Sequence, residues 1–83
     1  SLANISVVSG KLDGEVGTES FFNTNVENVK KALRDVKVLE TGKVFFDGIE
    51  GRKIIYNHSM GELKLRVVQY FVVKNGHGYI ITC

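Results

Sequence analysis

The stretch that most restricts the fold is LKLRVVQYFVVK, residues 63–74. Its residues follow the period of two that predicts a long β-strand. Side chains of a strand alternate between its two faces, so one face would carry Leu63, Leu65, Val67, Gln69, Phe71 and Val73, and the other Lys64, Arg66, Val68, Tyr70 and Val72. Strands that are apolar on both faces are normally covered on both. This strand therefore needs covering elements on two sides.

Only one helix is indicated, by TESFFNTNVENVKKALRDV, residues 18–36. Thr18 is a suitable N-cap, and Glu19 lies in the first turn, where the helix dipole favours an acid. The apolar residues of this segment are spaced by three or four and form one stripe: Phe22, Val26, Val29, Leu33 and Val36. One such helix can cover only one face of a sheet.

The other segments are short β-prone runs separated by turn signals. A first run lies at residues 5–8, and three more follow the helix at 37–46, 52–58 and 79–83, the first of these with a possible break at Thr41 and Gly42. Turns are indicated at 47–51, 59–62 and 74–78, and such short connections require antiparallel pairing. The predicted fold class is α+β, a twisted antiparallel sheet with one helix packed on a face.

Size and composition predict one soluble domain over residues 1–83. The chain is 43% hydrophobic and 24% charged, with a net charge of +2, which does not argue for nucleic-acid binding. Its one cysteine excludes an internal disulfide framework and a cysteine-rich zinc site. No apolar stretch approaches the 18 residues that a membrane-spanning helix needs.

The order of these motifs resembles the PsbP/Mog-like superfamily, and within it the bacterial and archaeal DcrB-type envelope domains. The resemblance covers nearly the whole chain. It is carried by ANISVVSGKL, by VKVLETGKVFFDGIEGRKIIY after the helix, and by VVQYFVVKNGHGYIITC. These motifs are patterns of turns and apolar positions, so they bear on the fold and contain no catalytic signature.

The resemblance implies an α/β/α sandwich of which this chain would be the core fragment, since family members add a helix after the last strand. It also implies non-catalytic work: PsbP-type members assist photosystem assembly, and Mog-type members bind a small GTPase. We therefore expect a binding or accessory module for protein–protein interaction or assembly, in the cell envelope. Any lipid anchor would lie outside this segment.

The alternative is a metal- or small-ligand-binding domain, or a small enzyme, that uses His58 and His77. His77 lies in NGHGY, where a hairpin turn with a solvated histidine is the simpler interpretation. His58 is expected at a solvated strand end, and with Glu62 and Asp47 it matches no ligand spacing. Cys83 is expected to be a small buried hydrophobe. We predict no catalytic residue, no metal and no cofactor.

Two groups of residues are predicted to bind a partner. The first is Val68, Tyr70 and Val72, on the face of the long strand that the helix does not cover. The second is the basic cluster Lys30, Lys31 and Arg34, extended by Lys37, although such clusters are usually solvated helix faces. An uncovered apolar face predicts a protein partner or a dimer of this chain. An unpaired last strand would favour association further.

Overall fold

A computed structural model describes residues 4–83. The elements are β1 (Ser6–Lys11), α1 (Thr18–Ala32), β2 (Arg34–Phe46), β3 (Ile49–Met60), β4 (Leu63–Lys74) and β5 (His77–Thr82). The five strands form one sheet in the order β1-β5-β4-β3-β2, and every neighbouring pair is antiparallel. The helix packs on one face of this sheet. The predicted α+β class is confirmed.

Two-residue turns connect the strands from β2 to β5. Asp47 and Gly48 both have positive φ angles, of 50° and 83°, and Asn75 and Gly76 have φ angles of 51° and 74°. Positive φ at both central residues defines the turn whose twist matches that of paired antiparallel strands. Asn-Gly and Asp-Gly tolerate this conformation best, so the local sequence sets these two hairpins.

The helix ends and β2 begins at earlier residues than the sequence predicts. Gly17 caps the helix without a side-chain hydrogen bond, in place of the expected Thr18, and the helix ends at Ala32. Val36, predicted on the helical stripe, lies in β2 and still packs against the core. An irregularity at Asp35, where φ is 54°, separates the two elements. The periods of helix and strand coincide over such a short stretch, which explains the error.

The expected break in β2 is absent from the structure. Thr41 pairs with Ile54 and Gly42 pairs with Lys53, so the strand runs through both positions. The backbone hydrogen bonds of the ladder between β2 and β3 outweigh the weak strand propensity of one glycine.

The core lies between α1 and the centre of the sheet. Its buried members are Phe22, Ile54, Tyr56 and Phe71. Phe71 is only 1% exposed, and its ring meets those of Phe21 and Phe22 edge-on at centroid distances of 6.1 and 5.2 Å. The stripe of apolar residues predicted on the helix therefore does face the sheet.

Burial raises the pKa of the Tyr56 phenol above its usual value. The folded state therefore favours the protonated phenol more than the unfolded state does. The contribution of the protonated phenol to the free energy of unfolding is therefore present at neutral pH, and it is lost as the pH rises through the raised pKa.

The last strand is an interior strand of the sheet, contrary to the prediction. β1 pairs with β5 in antiparallel register from Ser6 with Thr82 to Lys11 with His77, so β1 and β2 form the edges. Cys83 follows β5 and is exposed, although its backbone N–H donates to the carbonyl of Val68 at 2.8 Å. By strand alternation the Cys83 side chain lies on the same face of the sheet as Tyr79 and Ile81, which α1 does not cover. The prediction of a buried thiol is therefore wrong.

The one helix described, α1, is too short and too polar to cross a membrane.

Candidate functional site

The candidate site is the open face, which we define as the side of the sheet opposite α1. Ile54, Tyr56 and Phe71 point towards the helix, so their neighbours along β3 and β4 point the other way. Strand pairing and the contact between the Phe46 and Tyr70 rings join the apolar residues of this face, which also carries the ion pair of Lys53 with Glu40. The apolar residues are Val7, Val44, Phe46, Ile55, Val68, Tyr70, Val72, Tyr79 and Ile81. We call this set the apolar belt.

The predicted residues Val68, Tyr70 and Val72 lie at the centre of the apolar belt and are half-buried. The ring of Tyr70 contacts the ring of Phe46 edge-on, with 5.8 Å between centroids. Ile55, which pairs with Val68 and Glu40, is only 8% exposed although no helix or further strand in the described part of the chain lies over this face. The side chains of the apolar belt therefore pack against one another and form a continuous surface, which no helix or further strand covers within residues 4–83.

Four cations lie at one end of the open face, and we call them the basic end. Arg34 pairs with Ser59, which pairs with Lys64 on the other side. In the next row, Lys37 pairs with Asn57, which pairs with Arg66. Each row thus has a cation on β2, a polar residue on β3 and a cation on β4. Sequence reasoning placed Lys64 and Arg66 on the face of Val68 but did not connect them with Arg34 and Lys37.

None of the four cations of the basic end forms an ion pair within residues 4–83. The ion pairs within residues 4–83 join other residues: Lys30 to Glu27 at 3.9 Å, Lys43 to Glu50 at 4.0 Å and Lys53 to Glu40 at 3.1 Å. With strands about 4.8 Å apart, the two columns of cations are separated by roughly 10 Å. That is close to the screening length of about 8 Å at physiological salt, so the cations repel one another weakly.

A groove of about 220 Å³ opens at the basic end, lined by Asp35, Lys37, Asn57, His58, Ser59 and Lys64. Two ammonium groups, an amide and a hydroxyl can donate hydrogen bonds into it. Asp35 is the one carboxylate of its lining. The groove is thus suited to an acceptor with negative charge, such as a carboxylate.

The two histidines lie in unlike environments. His58 is only 7% exposed, and its Nδ1 has no hydrogen-bond partner in the described part of the chain. The expectation of a solvated His58 is wrong because β3 continues to Met60, which places His58 inside the strand beside the Tyr56 ring at 6.0 Å. His77 is exposed as predicted, with its Nδ1 3.2 Å from the carbonyl oxygen of Asn75.

The structure does not bring His58 and His77 together. They pair with Leu65 and Lys74 of β4, nine residues or about 30 Å apart along the strand. Asp47 and Glu62 lie in two different turns. Over residues 4–83, no three His, Cys, Asp or Glu side chains form a group that could hold a metal ion.

We expect replacement of His58 by alanine to destabilise the fold by about 1–2 kcal/mol, because it removes a buried side chain from beside Tyr56. The matched control, His77→Ala, should change stability by less than about 0.5 kcal/mol, since that ring is solvated. Urea unfolding followed by circular dichroism measures both. Equal effects of the two substitutions would contradict the different burial of the two rings.

The six predicted partner-binding residues do not form one surface. Lys30 and Lys31 are exposed in the last turn of α1, on the side of the sheet opposite Val68, Tyr70 and Val72. Arg34 has left the helix and begins β2 at the basic end. Whether any of them binds a partner stays a prediction.

No protein-family model matches the chain, and no curated protein matches it in sequence. Several solved structures share its fold, among them one from a pseudomonad and one from a cyanobacterium. The crystal structure of PA94 from Pseudomonas aeruginosa, a protein of unknown function described as a candidate regulator, superposes with a TM-score of 0.71 at 15% identity over 98% of this chain. The solution structure of the cyanobacterial PsbP (CyanoP) of Synechocystis sp. PCC 6803 gives 0.63 at 12% identity over 95%.

These likenesses define a PsbP-like fold, as the sequence motifs imply. The chain spans 69% of PA94 and about half, 52%, of CyanoP. At such low identities the comparisons bear on the fold alone.

Proposed function

We propose that this chain is a non-catalytic binding module that recognises another protein through its open face. The observation that carries this proposal is the apolar belt, a contiguous surface over which no element of residues 4–83 lies. Contiguous apolar surfaces that no other element covers commonly mark interaction sites. Aromatic residues such as Tyr70, Tyr79 and Phe46 are enriched where binding energy is concentrated.

An accessory role in the cell envelope is the second part of the proposal. It is supported by the resemblance of the sequence motifs to DcrB-type envelope domains and by the PsbP-like fold. The enzyme or metal-binding alternative is weaker, because it needs His58 and His77 in one site and they lie about 30 Å apart along the sheet.

Self-association is the other candidate function of the open face, since a second copy could cover the apolar belt. Charge opposes it. The basic end holds four cations, and at the opposite end of the face Lys11 and Lys74 both pair with His77. In a symmetric face-to-face dimer, cations of one copy would lie over cations of the other. We therefore favour an unlike partner over a dimer.

A selection of random peptides on the immobilised chain tests the proposal. We expect the selected peptides to lose at least about tenfold in affinity for Tyr70→Ala, because buried tyrosines at interface centres commonly contribute this much. Phe45→Ala is the matched control, since Phe45 is exposed on the helix side of edge strand β2. Circular dichroism should show that both variants are folded. Peptides that bind both variants as well as the native chain would refute a role for the open face.

Sedimentation of the native chain tests whether the partner of the open face is a second copy of this chain or an unlike protein. A dimer formed through the open face should strengthen when NaCl is raised from about 50 to about 500 mM, because salt screens the facing cations. We expect a monomer at low salt. A tight dimer at low salt that dissociates on Tyr70→Ala would favour self-association instead.

A further inference from the structure

The basic end and the apolar belt are parts of one surface. Arg66 and Val68 are successive side chains on the open face of β4, and Asn57 and Ile55 are successive on the same face of β3. No strand edge or turn separates the charged rows from the apolar ones. A partner that covers the belt along the strands therefore also reaches the basic end.

Unlike Lys43 and Lys53 of the same sheet, the cations of the basic end form no ion pair within residues 4–83, and the one carboxylate that lines their groove is that of Asp35. Lys53 is neutralised by Glu40 at 3.1 Å, and Lys43 lies 4.0 Å from Glu50. The four cations of the basic end have no such partner within residues 4–83. Their charge is available to an incoming anion, which would also relieve their mutual repulsion.

The groove shows where the anion would lie. Asn57 and Ser59 form its centre on β3, and Lys37 and Lys64 flank them from β2 and β4. An oxygen placed over β3 could accept from the amide and the hydroxyl, while the flexible lysine stems bring two ammonium groups towards it. Hydrogen bonds between such cations and a carboxylate are about twice as strong as neutral ones.

We propose that the partner of the open face is an acidic, amphipathic protein segment whose carboxylates bind the basic end while its apolar residues cover the belt. This inference rests on the proposed function and adds the chemistry and the orientation of the partner. An anionic membrane fits less well, because Val68, Tyr70 and Val72 are half-buried in the sheet. The longer lysine and arginine side chains would meet a flat bilayer before the belt could.

The probes that test this are the peptides selected on the native chain. We expect Asp and Glu to be enriched at one end of these peptides, next to apolar residues. The double variant Lys37→Glu/Lys64→Glu should bind them at least about tenfold more weakly. The matched control Lys30→Glu/Lys31→Glu reverses the same charges on α1 and should change the affinity less than about twofold. Binding should also weaken as NaCl rises from about 50 to about 500 mM.

The outcomes separate this inference from the proposed function. Peptides that lose affinity on Tyr70→Ala but lack acids, and ignore both salt and the Lys37/Lys64 reversal, would overturn the acidic partner and keep the open face. Peptides indifferent to Tyr70→Ala would overturn both. Tighter binding of the chain to phosphatidylserine vesicles than to any selected peptide, lost on the Lys37/Lys64 reversal, would replace the protein partner by a membrane. Nuclear magnetic resonance shifts at Asn57 and Ser59 on peptide addition would support the placement.

Discussion

Replacing Phe71 by alanine should remove a large part of the stability of the fold. The ring is 1% exposed and holds two helix residues, Phe21 and Phe22, against the sheet. Truncation of a buried phenylalanine costs about 3–5 kcal/mol. A domain of this size has a total stability of roughly 4–12 kcal/mol, from about 0.05–0.15 kcal/mol per residue. The substitution therefore removes a large share of the free energy of unfolding.

Urea unfolding followed by far-ultraviolet circular dichroism measures this loss. The matched control is Phe45→Ala, which removes the same ring from a position that is 66% exposed. We expect the control to change the free energy of unfolding by less than about 0.5 kcal/mol. Similar losses for the two variants would mean that the helix is not anchored through Phe71.

Substituting Gly78 by alanine should destabilise the fold by about 1–3 kcal/mol, the usual cost of overpacking a core. A Cβ at this position would lie 2.5 and 2.6 Å from atoms of the Phe21 ring. That ring meets Phe71 edge-on, so displacing it would weaken this contact between helix and sheet. Gly78 is thus required by the close approach of helix and strand.

The register of the sheet provides a control for Gly78. Gly10 of β1 pairs directly with Gly78, but a Cβ there would have no atom within 4 Å. Gly10→Ala should therefore be neutral, or stabilising by up to about 1 kcal/mol through reduced backbone entropy of the unfolded chain. In a Phe21→Ala background, Gly78→Ala should lose most of its cost. An unchanged cost in that background would show that the ring is not the obstacle.

Much of the fold could be predicted from local sequence because its signals act over a few residues. Asp47-Gly48 and Asn75-Gly76 accept positive φ, and this sets both hairpins. Alternation along residues 63–74 assigned Phe71 to one face and Tyr70 to the other, and the structure agrees. The pairing of β1 with β5 joins residues more than 60 positions apart, and no local propensity encodes it. For that reason β5 was mistaken for an edge strand.

The candidate site also has a part that local sequence predicts and a part that depends on long-range strand pairing. The sequence by itself determined that Val68, Tyr70 and Val72 share a face that one helix cannot cover, since alternation follows from backbone geometry alone. It also determined that Asn75 and Gly76 form the hairpin turn next to His77. Only the tertiary structure decided that Arg34 and Lys37 join Lys64 and Arg66, and that Lys30 and Lys31 lie on the other side of the sheet. The physical reason is that the register of β2, β3 and β4 brings together cations up to 32 residues apart in the sequence. Local sequence patterns reflect only residues that are close together along the chain.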